Sequence, residues 1–111
     1  MTGARSGELE IVDVPESQRY EARLDGRVVG IAEYRSIGGR IVLFHTEVDP
    51  SVEGQGVGSR LAAGVLDDVR ARDRQVTIKC PFLAAFIARH PQYQDLLVDA
   101  PRSGSWQAEP R

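Results

Sequence analysis

Three sets of residues in this sequence have types and spacing that could do chemistry. The first is a glycine turn, Glu53-Gly-Gln-Gly-Val-Gly-Ser59, with Gly54, Gly56 and Gly58 at alternating positions. Glycine tolerates positive φ and lets a ligand come close to the main chain. The residues that follow repeat apolar side chains at Val57, Leu61, Val65, Leu66 and Val69, which is the period of a helix. A helix start leaves N–H groups without partners and carries partial positive charge. Turn and helix together make a place for a phosphate or pyrophosphate. The alternative is a tight strand-to-helix connection and nothing more. Two familiar phosphate motifs do not fit: the dinucleotide fingerprint spaces its glycines Gly-x-Gly-x-x-Gly, and the P-loop follows them with lysine. This turn does neither.

The second set is His45 and Glu47, which share one face of a strand end, about 7 Å apart at two-residue spacing. Thr46 and Val48 take the opposite face. The third is the single cysteine, Cys80, directly before Pro81. Proline suits the first turn of a helix, and a thiol at a helix start is a better nucleophile than an ordinary one. A lone cysteine is otherwise a small buried hydrophobe. His90 and Tyr93 flank Pro91.

The elements that must position these residues follow from period and punctuation. Residues 8–14 and 19–24 alternate as strands, with Pro15 between them, and Asp25-Gly26 is a strong hairpin signal. Residues 27–35 form the partner strand, Gly38-Gly39 a second turn, and residues 40–48 a fourth strand ended by Asp49-Pro50. These four should make an antiparallel meander. The fourth is apolar on both faces over residues 41–44, which suggests a central position. A helix over about residues 56–72 has a polar face with Arg60, Asp67, Asp68, Arg70 and Arg72, the Asp68–Arg72 spacing adding a minor contribution. Residues 75–80 form a fifth strand, parallel to the fourth through a right-handed crossover. A second helix starts at Pro81 and closes before Pro91, with Phe82 and Phe86 expected in the core. Residues 92–98 read as a short helix or a last strand. The result is one α+β domain over residues 8–98, β-β-β-β-α-β-α. Residues 1–7 are expected to be disordered and 99–111 mobile, with Trp106 able to dock on the body.

The meander, the Gln-Gly-Val-Gly helix entry and the parallel fifth strand resemble the GNAT-type acyl-CoA N-acyltransferases. More narrowly, residues 45–48, residues 53–58 and Cys80-Pro-Phe82 with Phe86, His90 and Tyr93 resemble the minimal single-domain branch of that superfamily. The likeness runs from about residue 8 to residue 97. It implies that the fourth and fifth strands splay apart around the pantetheine arm of acetyl-CoA. Main-chain groups of Thr46 to Val48 would bond the arm, and Gly54, Gln55, Gly56, Val57, Gly58 and Ser59 the pyrophosphate. His90 and Tyr93 would lie beside the cofactor, where Tyr93 could protonate the departing thiolate. Glu53 departs from the superfamily pattern, which has Arg or Gln at that position, and a carboxylate there does not help a pyrophosphate.

Acyl transfer to an amine needs a path for the amine's proton and stabilisation of developing charge. Glu47 reads as a general base, expected among apolar neighbours, or as a strand-end carboxylate paired with an arginine. His45 reads as a proton relay, titrating near neutrality, or as a strand histidine satisfied by a carbonyl. Cys80 forms an acyl-enzyme or lines the pocket. The implied reaction moves an acetyl group from acetyl-CoA to a primary amine: a protein lysine, an N-terminus or a small amine. The alternative is a non-catalytic acyl-CoA sensor or adaptor.

Composition narrows the field. The chain has 111 residues, 41% hydrophobic and 27% charged, with formal net charge −2. That length suits a single core, and the charge offers no footprint for nucleic acid or an anionic membrane. No apolar run approaches a membrane span. The N-terminus lacks a signal-peptide core, so a cytoplasmic protein is expected. One cysteine excludes an intrachain disulfide and a cysteine-rich metal site. No metal is expected, and the chain should be a monomer or weak homodimer.

Overall fold

Two short turns set the sheet. In the computed structural model, which describes residues 8–98, Asp25 and Gly26 have φ 52 and 82, and Gly38 and Gly39 have 57 and 86. Positive φ at both turn positions gives a twist that matches the flanking strands. Strands β2 (Arg19–Leu24), β3 (Arg27–Ile37) and β4 (Arg40–Val48) therefore follow one another as antiparallel neighbours. β1 (Leu9–Val14) pairs with β2 through a 3-10 turn at Pro15–Ser17. Helix α1 (Val57–Ala71) then carries the chain back so that β5 (Gln75–Ile78) runs parallel to β4. The sheet order is β1-β2-β3-β4-β5, so β4 is interior, as its apolar run suggested. Helix α2 (Pro81–Arg89) follows, then a 3-10 segment Pro91–Leu96 and a parallel bridge from Leu97 to Val76. Residues 92–98 thus combine the two readings of that stretch. The tails at 1–7 and 99–111, and Trp106 with them, lie outside the described residues.

The core is the apolar stripe of α1 laid on one sheet face. Leu61, Ala62, Val65 and Leu66 are fully buried with Ala22, Ala32 and Leu43. Truncating one such leucine to alanine costs about 2–5 kcal/mol. The helix crosses β1 closely: a Cβ on Gly64 would stand 2.8 Å from Ile11 Cγ1. That contact explains a glycine inside a helix, where it costs about 1 kcal/mol relative to alanine. Phe86 is buried, but Phe82 is 38% exposed and leaves the core. Its ring instead meets the start of α1, with Cζ 3.0 Å from a Cβ built on Gly58.

Two details of β4 position everything that follows. Glu33 of β3 pairs with His45 while Tyr34 pairs with Leu43, so Phe44 is an extra residue, a bulge. Ile41 and Leu43 face α1 and are buried. Without the bulge, His45 and Glu47 would continue on their face. With it, Thr46 and Val48 turn toward the helix, and His45 and Glu47 turn outward and are exposed. The second detail is length: pairing with β5 ends at Leu43–Ile78, with one last bond from Lys79 N–H to the Leu43 carbonyl at 2.7 Å. β4 runs on to Val48 without β5 beside it.

Candidate functional site

The glycine turn builds one wall of a groove at this open end. Gly54 and Gly56 have φ 83 and 78, the left-handed region that glycine accommodates. A Cβ on either would meet nothing within 4 Å, so the backbone there faces open space. Gly56 is the N-cap of α1 and offers no side chain to its first N–H groups. The first turn of a helix leaves such groups without intrahelical partners. The groove has a volume of about 420 Å³ and is lined by Thr46, Val48, Val52, Glu53, Gly54, Gly56, Val57, Gly58, Ser59 and Phe82.

The glycine turn and the Thr46–Val48 strand end therefore meet in one cavity. Gln55 stands apart, since its N–H is committed to the Val52 carbonyl at 3.2 Å. Glu53 does line the groove and places a carboxylate where an anion would sit.

Cys80 does not line the groove but touches Thr46, which does. It is buried at the N-cap of α2, and its thiol donates to Thr46 Oγ1 at 3.4 Å. This contact joins the ends of β4 and β5 where their ladder has stopped. Thr46 is thus both a groove wall and the thiol's partner.

His45 and Glu47 lie on the other face of the same strand. His45 Nε2 is 3.2 Å from Glu47 Oε2, and the two side chains are 47% and 68% exposed. Glu47 is exposed rather than buried, because the bulge at Phe44 turns it outward. Glu47 pairs with His45 rather than with the arginine of its strand-end alternative.

His90 and Tyr93 do not line the groove. His90 caps the end of α2, where Nδ1–H donates to the Phe86 carbonyl at 2.8 Å and the ring stacks on Phe86 with centroids 4.0 Å apart. Tyr93 donates its hydroxyl to Asp67 at 2.8 Å, pinning the 3-10 segment to α1. Burial, then the Asp67 carboxylate, holds that phenol neutral above its usual range. Phe82 is the groove residue that sequence spacing misassigned. The signal that could have found it was Gly58, which leaves room for a ring.

The opposite end of α1 carries a closed network. Tyr20 donates to Asp68 at 2.7 Å and Tyr34 to Asp13 at 2.6 Å. Arg72 bridges both carboxylates, 3.0 Å from Asp68 and 3.2 Å from Asp13. Burial, then the Asp13 hydrogen bond, pushes Tyr34 up to about 12, and Tyr20 is raised further by burial and Asp68. Asp68–Arg72 is therefore part of a fastening and not the minor surface pair its spacing suggested.

These observations coincide with a family. The family model for GCN5-related N-acetyl-transferases matches residues 19–96, and the chain belongs to that family. Among solved structures, the chain resembles a GCN5-like protein from Staphylococcus aureus, with TM-score 0.63 and 19% identity over 92% of this chain and 98% of that one. It also resembles a ribosomal-protein-alanine N-acetyltransferase from Brucella melitensis, with TM-score 0.51 and 17% identity over 82% and 68% of the two chains. A ribosomal-protein-alanine N-acetyltransferase from Escherichia coli aligns at TM-score 0.50 and 21% identity, over 54% of this chain and 39% of that one. These likenesses are of fold. No curated protein matches the sequence. Among the described residues no helix is long and apolar enough to cross a membrane, and no cluster of potential metal ligands occurs.

Proposed function

We propose that the chain is an N-acetyltransferase that moves an acetyl group from acetyl-CoA to a primary amine. One observation carries the reading: β4 outruns β5 beside the uncapped start of α1, so a free strand edge and free helix N–H groups face one groove. A free edge can bond the amide groups of an extended arm as a further strand would, and the helix start suits a pyrophosphate. The residues present fit such a donor: Thr46 and Val48 along the arm, and Gly54, Gly56, Val57, Gly58 and Ser59 at the phosphates. The thioester supplies an activated acyl carbon beside Thr46 and Cys80. Glu47, one residue along β4, accepts the amine's proton directly or through water, and His45 at 3.2 Å passes it on. Direct transfer is the simpler route. An acyl group parked on Cys80 is the alternative, favoured by the thiol's contact with Thr46 in the groove wall.

Acetyl transfer to a primary amine, followed as free thiol released, tests the reading. Wild type should turn over, and Glu47→Gln should lose about 10²-fold or more. Cys80→Ala separates the routes: retained turnover means direct transfer, while lost turnover together with an acetylated wild-type cysteine by mass means an acyl-enzyme. A second reading, acyl-CoA binding without turnover, draws on Glu53 in the groove. Micromolar binding with no transfer to any amine, unaltered in both variants, would establish it in place of the first.

A further inference from the structure

A second groove opens at the same strand end, and of its lining the reading above uses Glu47 and Val48 but not the β3 residues. Its volume is about 580 Å³, and Val28, Val29, Gly30, Ile31, Glu47, Val48, Asp49 and Pro50 line it. Strand pairing fixes which side chains enter. Ile31 lies between Glu21 and Glu47 in the ladder, and Val28 opposite Arg23. Arg23 bonds Glu21, so these side chains share one face, the one turned away from α1. Gly30, by contrast, points toward Leu61 of the helix. The outer groove therefore offers two aliphatic walls, Val28 (40% exposed) and Ile31, with the Glu47 carboxylate beside Ile31 on the neighbouring strand.

Charge decides what fits. Asp49 is held by Arg27 at 3.3 Å and by the Ser51 N–H at 2.9 Å. Among the described residues Glu47 pairs with the His45 ring alone, which balances it only when protonated. The groove presents a carboxylate to its occupant at the end of an apolar floor. It also shares Val48 with the donor groove, and Glu47 borders it from one face of β4 while Thr46 borders the donor groove from the other.

We infer that this outer groove is the acceptor site, and that it takes a primary ammonium on an unbranched aliphatic stem. The stem lies along Val28 and Ile31, and the ammonium meets Glu47. This inference rests on the acetyltransferase reading. The ammonium gives a proton to Glu47, and the neutral amine attacks the thioester carbon beside the free edge of β4. The C–N bond forms, the C–S bond breaks, and CoA leaves as the thiol with the balancing proton. The products are an N-alkyl acetamide and free CoA. A lysine side chain and a free diamine share this chemistry.

The test reads binding and needs no turnover. Protein saturated with CoA is titrated with 1,5-diaminopentane, with a lysine-containing peptide and with 1-pentanol, while backbone amide shifts are followed. Either amine should shift Val28, Ile31 and Glu47, and pentanol should bind at least tenfold more weakly. Shortening the diamine should weaken binding by up to about fourfold per methylene. Saturation by the peptide alone assigns the stem to a protein, and by the diamine alone to a free amine. Ile31→Lys, and independently Val28→Lys at the more exposed wall, should weaken amine binding at least tenfold with the CoA affinity within twofold of wild type. Intact CoA binding with no amine-induced shift at these residues would overturn the inference and leave the acetyltransferase reading standing. Equal binding of pentanol would overturn the ammonium assignment. Absence of CoA binding in wild type would remove the reading beneath it.

Discussion

The two ends of α1 are built to opposite specifications. At its C-terminal end the sheet is complete, with β4 paired to β5, and Tyr20, Tyr34, Asp13, Asp68 and Arg72 satisfy one another. At its N-terminal end β4 runs past β5, the helix has no side-chain cap, and two grooves share one strand residue. The difference teaches where binding capacity comes from. Backbone groups that the fold leaves unpaired can bond a ligand, and the closed end keeps the helix aligned so that they stay in place.

Substitutions that separate the two ends test this division. The largest expected effect on stability is at the closed end. Asp68→Ala strands the buried Tyr20 hydroxyl and one side of Arg72, and should cost about 1–3 kcal/mol. Chemical denaturation should show the loss, with CoA affinity per folded molecule unchanged. Gly64→Ala drives a methyl into Ile11 and should cost about 1–3 kcal/mol by overpacking, again without touching the donor groove.

Gly56→Ala should do the reverse. The left-handed φ of 78 strains alanine by about 1–2 kcal/mol, and its methyl enters the space proposed for the phosphates. CoA affinity should fall well beyond what unfolding explains. Isothermal titration at a temperature where the variant is folded checks it.

A smaller effect is expected from pH. Tyr34 has an ordinary value of 10.0 and is held at about 12 in the fold by burial and Asp13. A raised folded value means its contribution is whole below pH 10.0 and is lost as pH rises toward about 12. Melting temperature should decline over that window, and Tyr34→Phe should decline less steeply. Glu21 behaves oppositely, because its bonds to Arg23 and Arg19 hold it below 4.5. Its contribution is whole above that pH and fades as pH falls through the folded value.

Much of this arrangement was legible in the sequence because local chemistry dictates it. Asp25-Gly26 and Gly38-Gly39 impose positive φ, and Asp49-Pro50 ends a strand, so β4 runs from Arg40 to Val48 as read. The apolar period of α1 named its buried stripe, and the glycine turn fell where its spacing implied. What escaped were features that only tertiary pairing decides. The bulge at Phe44 exchanges the faces of β4, which period two carries through unbroken, and so turns Glu47 outward and exposed. Tyr20–Asp68 and Tyr93–Asp67 join residues distant in sequence, beyond any local pattern. Phe82 looked like core because helical spacing does not reveal that Gly58 opposite it leaves a cleft.

If the open end holds acyl-CoA and the closed end only supports it, an amide-resolved titration of the uniformly labelled protein with CoA will separate the two. Saturable shifts are expected at Thr46–Val48, Gly54 and Gly56–Ser59, with Asp13, Tyr34, Asp68 and Arg72 essentially still. Shifts centred on the Tyr–Asp–Arg network, or none at saturating CoA, would contradict this division.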